Sequence, residues 1–216
     1  MPIRAFIFDL DGVITDTAEF HYLAWKRLAD EEGIIFTRED NEQLRGVSRR
    51  ESLNRMLKGR PVDETTAQTW MTRKNDYYRE YLQHITPSNL LPGVSRFLAD
   101  ARAAGLKLAI GSASKNAREV LDKLAILDHF DAVGDGYSVM NTKPAPDLFL
   151  WTAGRLGIPP IEAVVFEDAE AGIDAALAGG FWTVGIGQTN LTRAHMVVPD
   201  LAALTVSEVL ERLNER

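Results

Sequence analysis

Cysteine is absent from the chain, which excludes disulfides and thiolate chemistry. An excess of basic residues is also missing. Lys and Arg number 24 against 31 Asp and Glu, for a net charge of −7, so no basic surface points to nucleic acid. No apolar run approaches the ~20 residues that cross a bilayer. The first apolar stretch, where a signal peptide would have its hydrophobic segment, is interrupted by Asp9. Internal repeats and low-complexity tracts are lacking as well. These absences lead us to expect a soluble, cytoplasmic protein with neither a membrane nor a nucleic-acid partner. What is present is ordinary globular material: 45% hydrophobic and 25% charged residues over 216 positions, enough for a sizeable core.

The most informative run is AFIFDLDGVITD, residues 5–16. An apolar strand leads into Asp9 and Asp11, which flank Leu10 and so share one face of an extended chain. Two such carboxylates repel each other unless a cation or a proton lies between them. A strand-end Asx turn would explain a lone Asp-Gly pair. It does not explain the partners downstream.

Further strands are expected at 106–110, near 130–133, at 163–166 and at 182–186, with helical patterns between them. Val94, Phe97, Leu98, Ala101 and Ala104 lie at helical spacing, as do Val120, Leu121, Leu124 and Leu127. Alternating β and α elements with apolar strands predict a Rossmann-like, doubly wound parallel sheet. Residues 16–87 break the alternation with helical patterns only. Asp16 and Glu19 resemble a capping box opening a helix that runs to Gly33, and the longest helix is expected from Glu64 to about Ile85. We therefore expect a core of residues 1–15 and 88–216 with a small α-helical cap, residues 16–87, lying over the strand ends.

Ser112, Lys143 and the pair Glu167-Asp168 follow predicted strands, as Asp9 and Asp11 do. Singly, each reads as a helix cap or a solvated charge. Together, carboxylates, hydroxyl and ammonium on one rim suit Mg²⁺-assisted phosphoryl transfer. In the helical stretch, Thr17, His21 and Trp25 recur every four residues on one helix face. Lys74 interrupts an apolar stripe, where it either snorkels past the tyrosines or points into the interface. Arg49 offers a planar fork for phosphate, and Ser114, Lys115 and Asn116 open a helix whose free amides favour anions. Arg50 reads as a solvated neighbour.

The order DLDG, Ser112, Lys143, Glu167-Asp168 resembles the haloacid dehalogenase superfamily of aspartate-dependent phosphotransferases along the whole chain. Within it, FDLDGVITDTAEFHYLAWK, NEQLRGVSRRES, RKNDYY, SASKN and KPAPD resemble the β-phosphoglucomutase family. The resemblance implies that Asp9 is the nucleophile and Asp11 the general acid/base, with Ser112 and Lys143 in the catalytic set. Mg²⁺ would be held by Asp9, the Asp11 carbonyl, Glu167 and Asp168. His21 would orient Asp11 as the cap closes. Thr17, His21, Trp25, Arg45, Gly46, Val47, Arg49, Ser52, Lys74, Ser114, Lys115 and Asn116 would bind a small sugar phosphate, in a monomeric enzyme. Arg45 departs from the family, where lysine is common at that position, and the two cations differ in geometry. The rival expectations are a sugar-phosphate or phosphoglycolate phosphatase on the same fold and a receiver-like signalling module. The module has no use for Asp11, the cap or Lys74.

Overall fold

The computed structural model describes residues 2–44, 47–187 and 191–214. Six parallel strands form one sheet: β1 (Ala5–Phe8), β2 (Lys107–Gly111), β3 (Ala132–Gly134), β4 (Ala163–Glu167), β5 (Trp182–Ile186) and β6 (Met196–Val198). Their order is β3-β2-β1-β4-β5-β6, so the chain reverses direction across the sheet at β1. That places Asp9 at the switch point, where ligands of open α/β sheets bind beyond the strand ends. The sheet is the doubly wound Rossmann-like α/β architecture expected from the alternation. β6 was not foreseen: three residues between turn-rich segments give too short a pattern to read.

The alternation within β1 divides the core. Phe6 and Phe8 pack on one face with Phe97 of α5 (Val94–Ala103) and with Phe166. Ala5 and Ile7 face the other way, onto Phe149 of α7 (Asp147–Leu156) and the small residues of α8 (Glu170–Ala178). Because both faces are covered, the strands are apolar on both sides.

Between β1 and β2 lie α1 (Ala18–Glu31), α2 (Arg38–Glu42), α3 (Arg49–Leu57) and α4 (Glu64–Leu82), with no named strand among the described residues of this stretch. α6 (Ala117–Lys123) follows β2, and α9 (Val206–Asn214) ends the chain. The expected capping box at Asp16 does not form. Thr17 is the N-cap and makes no side-chain cap bond, Asp16 accepts only the Ala18 N–H, and Glu19 is drawn off by the Arg38 guanidinium. A true capping box sits at Thr37 and Asp40 of α2. The two chain crossings between sheet and helical segment run side by side. Thr15 bridges Leu90 in antiparallel fashion, its Oγ1 donates to the Asn89 carbonyl at 2.8 Å, and Leu91 N–H donates to the Ile14 carbonyl.

Candidate active site

β1 ends at Phe8, and Gly12, at φ +85°, turns the chain tightly behind Asp9 and Asp11. A Cβ at Gly12 would lie 2.1 Å from Asp168 Oδ2, so only glycine lets the two acidic turns approach each other. Carboxylate oxygens of Asp9, Glu167 and Asp168 lie within 4.8 Å of one another. The Asp11 side chain is not part of that group. Hard oxygen donors on two adjacent strand ends fit Mg²⁺.

Lys143 is buried between two of these acids, donating to Asp9 Oδ1 and, at 2.8 Å, to Glu167 Oε2. Burial pulls its ammonium down, but the Asp9 and Glu167 charges outweigh that and hold it above the ordinary lysine range. Glu167, fully buried, is pushed well up by desolvation despite its lysine partner. Its Oε1 accepts the Ala169 N–H, so both oxygens are engaged. Gly172 of α8 makes this possible, since a Cβ there would lie 2.1 Å from the Glu167 carboxyl.

Asp11 stands apart. Burial first, and then the Asp9 charge, push its carboxyl up to about 7, against the Thr17 hydroxyl that donates to it. Thr17 Oγ1 also lies 3.0 Å from the Tyr78 hydroxyl of α4. His21 does not hold Asp11 here. Its Nδ1 is 2.7 Å from Lys74 Nζ and its ring stacks on Tyr78, so Thr17 takes the orienting contact expected of the histidine. Lys74, 2% exposed, points into the interface, over the Trp25 and Tyr78 rings. Burial drives both members of the His21–Lys74 pair well below their usual ranges, reinforced for His21 by the Lys74 and Arg49 charges and for Lys74 by Arg49, against the Asp11 charge that pulls it up.

One cleft, about 860 Å³ of empty space including its mouth, gathers most of the expected residues. Asp9, Asp11, Ser112 and Asp168 form its floor, and His21, Trp25, Val47, Arg49, Ser52 and Lys74 line it from the helical segment. Ser114 and Lys115 line it from the loop after β2. Thr17, Lys143, Glu167 and Asn116 are not in the lining, and the first three act through Asp11 and Asp9. Arg45 and Gly46 lie outside the described residues. Ser52 is turned toward its own helix, donating to the Ser48 carbonyl at 3.0 Å. Arg49 Nη2 donates to Asn75 Oδ1 at 2.7 Å, and Asn116 Nδ2 donates to the same oxygen at 2.9 Å. Arg50 pairs instead with exposed Glu64, as its solvated reading requires.

Sequence reasoning missed Asn41, Leu44, Asn75 and Tyr78. Asn75 and Tyr78 fall within the quoted run RKNDYY, and the signal was there: Asn75 follows Lys74, and Tyr78 lies one turn beyond it. Asn41 offered none, since a polar residue in a five-residue helix normally faces water.

Comparison with known proteins agrees with this geometry. The family model described as "haloacid dehalogenase-like hydrolase" matches residues 3–180. A β-phosphoglucomutase of Bacillus subtilis is 43% identical across 99% of this chain and 95% of its own. The crystal structure of β-phosphoglucomutase from Clostridium difficile superposes with a TM-score of 0.95 at 41% identity, covering 99% of this chain and 98% of that one. A phosphorylated carbohydrates phosphatase of Thermotoga maritima is 28% identical over 99% of both chains. The acid-lined switch point, the helices folded over it and these full-length likenesses make the chain a member of the haloacid dehalogenase superfamily, similar within it to the β-phosphoglucomutases.

Proposed function

We propose that the protein is a β-phosphoglucomutase. It would interconvert β-D-glucose 1-phosphate and β-D-glucose 6-phosphate through phospho-Asp9 and β-glucose 1,6-bisphosphate. The observation that carries this reading is a single cleft lined both by the acids at the strand ends and by cationic and hydroxyl groups from α3, α4 and the loop after β2. Asp9 and Ser112 line it together with Asp11 and Asp168, Lys143 is held on Asp9, and Arg49, Ser114 and Lys115 line it as well. In this reading a bisphosphate reacts at Asp9 while Arg49, Ser114, Lys115 and the neighbouring Asn116 hold its second, non-reacting phosphate; a single-phosphate substrate leaves that second set without a ligand.

Lys143 holds Asp9 Oδ1, which leaves Oδ2 to attack phosphorus. The new bond is Asp9 Oδ2–P, the broken one is P–O of the sugar, and Asp11 returns a proton to the departing oxygen. A carboxyl titrating near 7 can give that proton and take it back. Ser112 and Lys143 neutralise the phosphoryl oxygens, so catalysis is mostly positioning and charge stabilisation. Asp9, Asp168 and the Asp11 carbonyl would hold Mg²⁺, with Glu167 beside them, and the ion would supply further neutralisation of the phosphoryl charge. Residues 16–87 act as the cap in this reading and exclude the water that would otherwise hydrolyse the phosphoenzyme.

The test is product. With Mg²⁺, β-glucose 1-phosphate and a priming bisphosphate, glucose 6-phosphate should accumulate with little inorganic phosphate. Asp9→Asn should give no labelled phosphoenzyme. Phosphate release in step with substrate loss would replace this reading with a sugar-phosphate phosphatase, the activity named for the Thermotoga relative.

A further inference from the structure

Asn75 lies on α4, one residue past Lys74, and does not line the cleft. Its side-chain oxygen is nevertheless where two separate parts of the molecule meet. Arg49 Nη2, from α3 of the helical segment, donates to it at 2.7 Å. Asn116 Nδ2, from the loop leading into α6 of the sheet region, donates to it at 2.9 Å. Arg49 lines the cleft and Asn116 directly follows Ser114 and Lys115, which line it too; all four are assigned above to the non-reacting phosphate, so this inference rests on the proposed function.

We propose that Asn75 is a positioning residue that couples the two halves of the distal phosphate grip. One carbonyl oxygen, accepting from both, fixes the Arg49 fork and the Asn116 amide relative to each other when the helices stand over the strand ends. Arg49 has other N–H donors on the same plane, so anchoring one nitrogen aims the rest without using up the fork. The acceptor suits the task. A neutral amide holds a guanidinium without cancelling the charge that phosphate must see, whereas a carboxylate in its place would compete with the ligand. Desolvation already lowers the Arg49 pKa from its ordinary value, partly offset by the Asp76 charge, and among the described residues no acid is hydrogen-bonded to it.

The rival account is that Asn75 merely packs between helices, and coupling separates the two. A hydrogen bond to a charged group is stronger than one between neutral partners, so its loss is read in binding. Asn75→Ala should therefore lower kcat/KM for the sugar phosphate by roughly tenfold, mainly through KM. Asn116→Ala should cost a similar factor. The double variant should lose scarcely more than either single one, because each substitution breaks the same bridge. Asn75→Asp should restore the bridge but raise KM further, its charge competing with phosphate for Arg49. Acetyl phosphate has no distal phosphate, so phosphorylation of Asp9 by it should be unchanged in Asn75→Ala, which also shows that the variant is folded. Losses that multiply in the double variant, or equal damage to the acetyl phosphate reaction, would overturn the proposal. The assignment as a mutase is judged separately, by the products of the wild-type protein. If that fails, the cycle is read on kcat/KM for phosphate release instead.

Discussion

At the scale of single residues the site is a set of opposed titrations. Asp9 and Asp11 stand two residues apart in one turn, yet their surroundings differ. Asp9 takes an ammonium from Lys143, while Asp11 takes neutral donors, the hydroxyl and the backbone N–H of Thr17. Burial and the neighbouring Asp9 charge raise the Asp11 carboxyl, which suits an acid. The Asp11 shift has a thermodynamic consequence. Its carboxyl titrates near 7 when folded and near 3.8 otherwise, so over that interval the folded chain binds the extra proton. Stability is therefore lost as pH rises from about 4 to 7, and the loss is complete above that. Without metal, Asp11→Asn should melt close to the wild type near pH 4, gain on it steadily to pH 7, and keep a constant lead beyond. A flat difference across that range would show that Asp11 does not hold a raised pKa.

At the scale of elements, two helices carry the argument. The small residues of α8 let it settle onto β4, and Gly172 sits against the Glu167 carboxyl with no room for a methyl group. Gly172→Ala should push Glu167 off Lys143, costing ~1–3 kcal/mol of stability and lowering kcat as well. Gly154→Ala, on α7 with open space around it, is the control and should be neutral or slightly stabilising. On α3 the neighbours Arg49 and Arg50 separate function from surface. Arg49→Ala should reduce kcat/KM for the sugar phosphate by roughly 10- to 150-fold, the cost of a charge-assisted contact. Arg49→Lys should recover part of it, and Arg50→Ala should be nearly silent. If Arg49→Ala slowed acetyl phosphate turnover equally, its role would lie at the reacting end rather than the distal one.

These elements also show what could be read from the sequence. β1, β2, β4 and β5 were legible because buried parallel strands are continuously apolar, and Asp9 was legible because charge at the end of such a run needs a reason. The stripe on α4 revealed its helix but could not decide where Lys74 pointed. That depended on the cleft formed with α1, which no local pattern encodes. Asp16 and Glu19 matched a capping box by spacing alone, and Arg38, nineteen residues on, took the glutamate away. The contact of His21 with Lys74 was not legible either, since their distance is set by how α1 and α4 cross.

At the scale of the whole molecule, a chain of net charge −7 gathers Asp9, Glu167 and Asp168 at two adjacent strand ends. A divalent cation held by these oxygens should stabilise the fold by mass action. At a hundredfold excess over its Kd, a ligand that binds only the native state adds about 2.7 kcal/mol. Mg²⁺ should therefore raise the Tm of the wild type by several degrees and leave Asp168→Ala almost unmoved. An equal rise in both would mean that the ion binds elsewhere.

The side-by-side crossings at Thr15 and Leu90 bear on how such a molecule diversifies. The helical segment leaves and re-enters the sheet at adjacent points tied by a few backbone and hydroxyl contacts. A gene fragment encoding residues 16–87 is thus bounded by two joints that already meet in space. The bond-making parts, Asp9, Asp11, Ser112, Lys143 and Asp168, all fall outside that fragment. Arg49 and Lys74, which face the ligand from above, fall within it. Under the proposed function, recombination at those joints would trade one choice of substrate for another and keep the chemistry, a cut-and-paste route to new specificities.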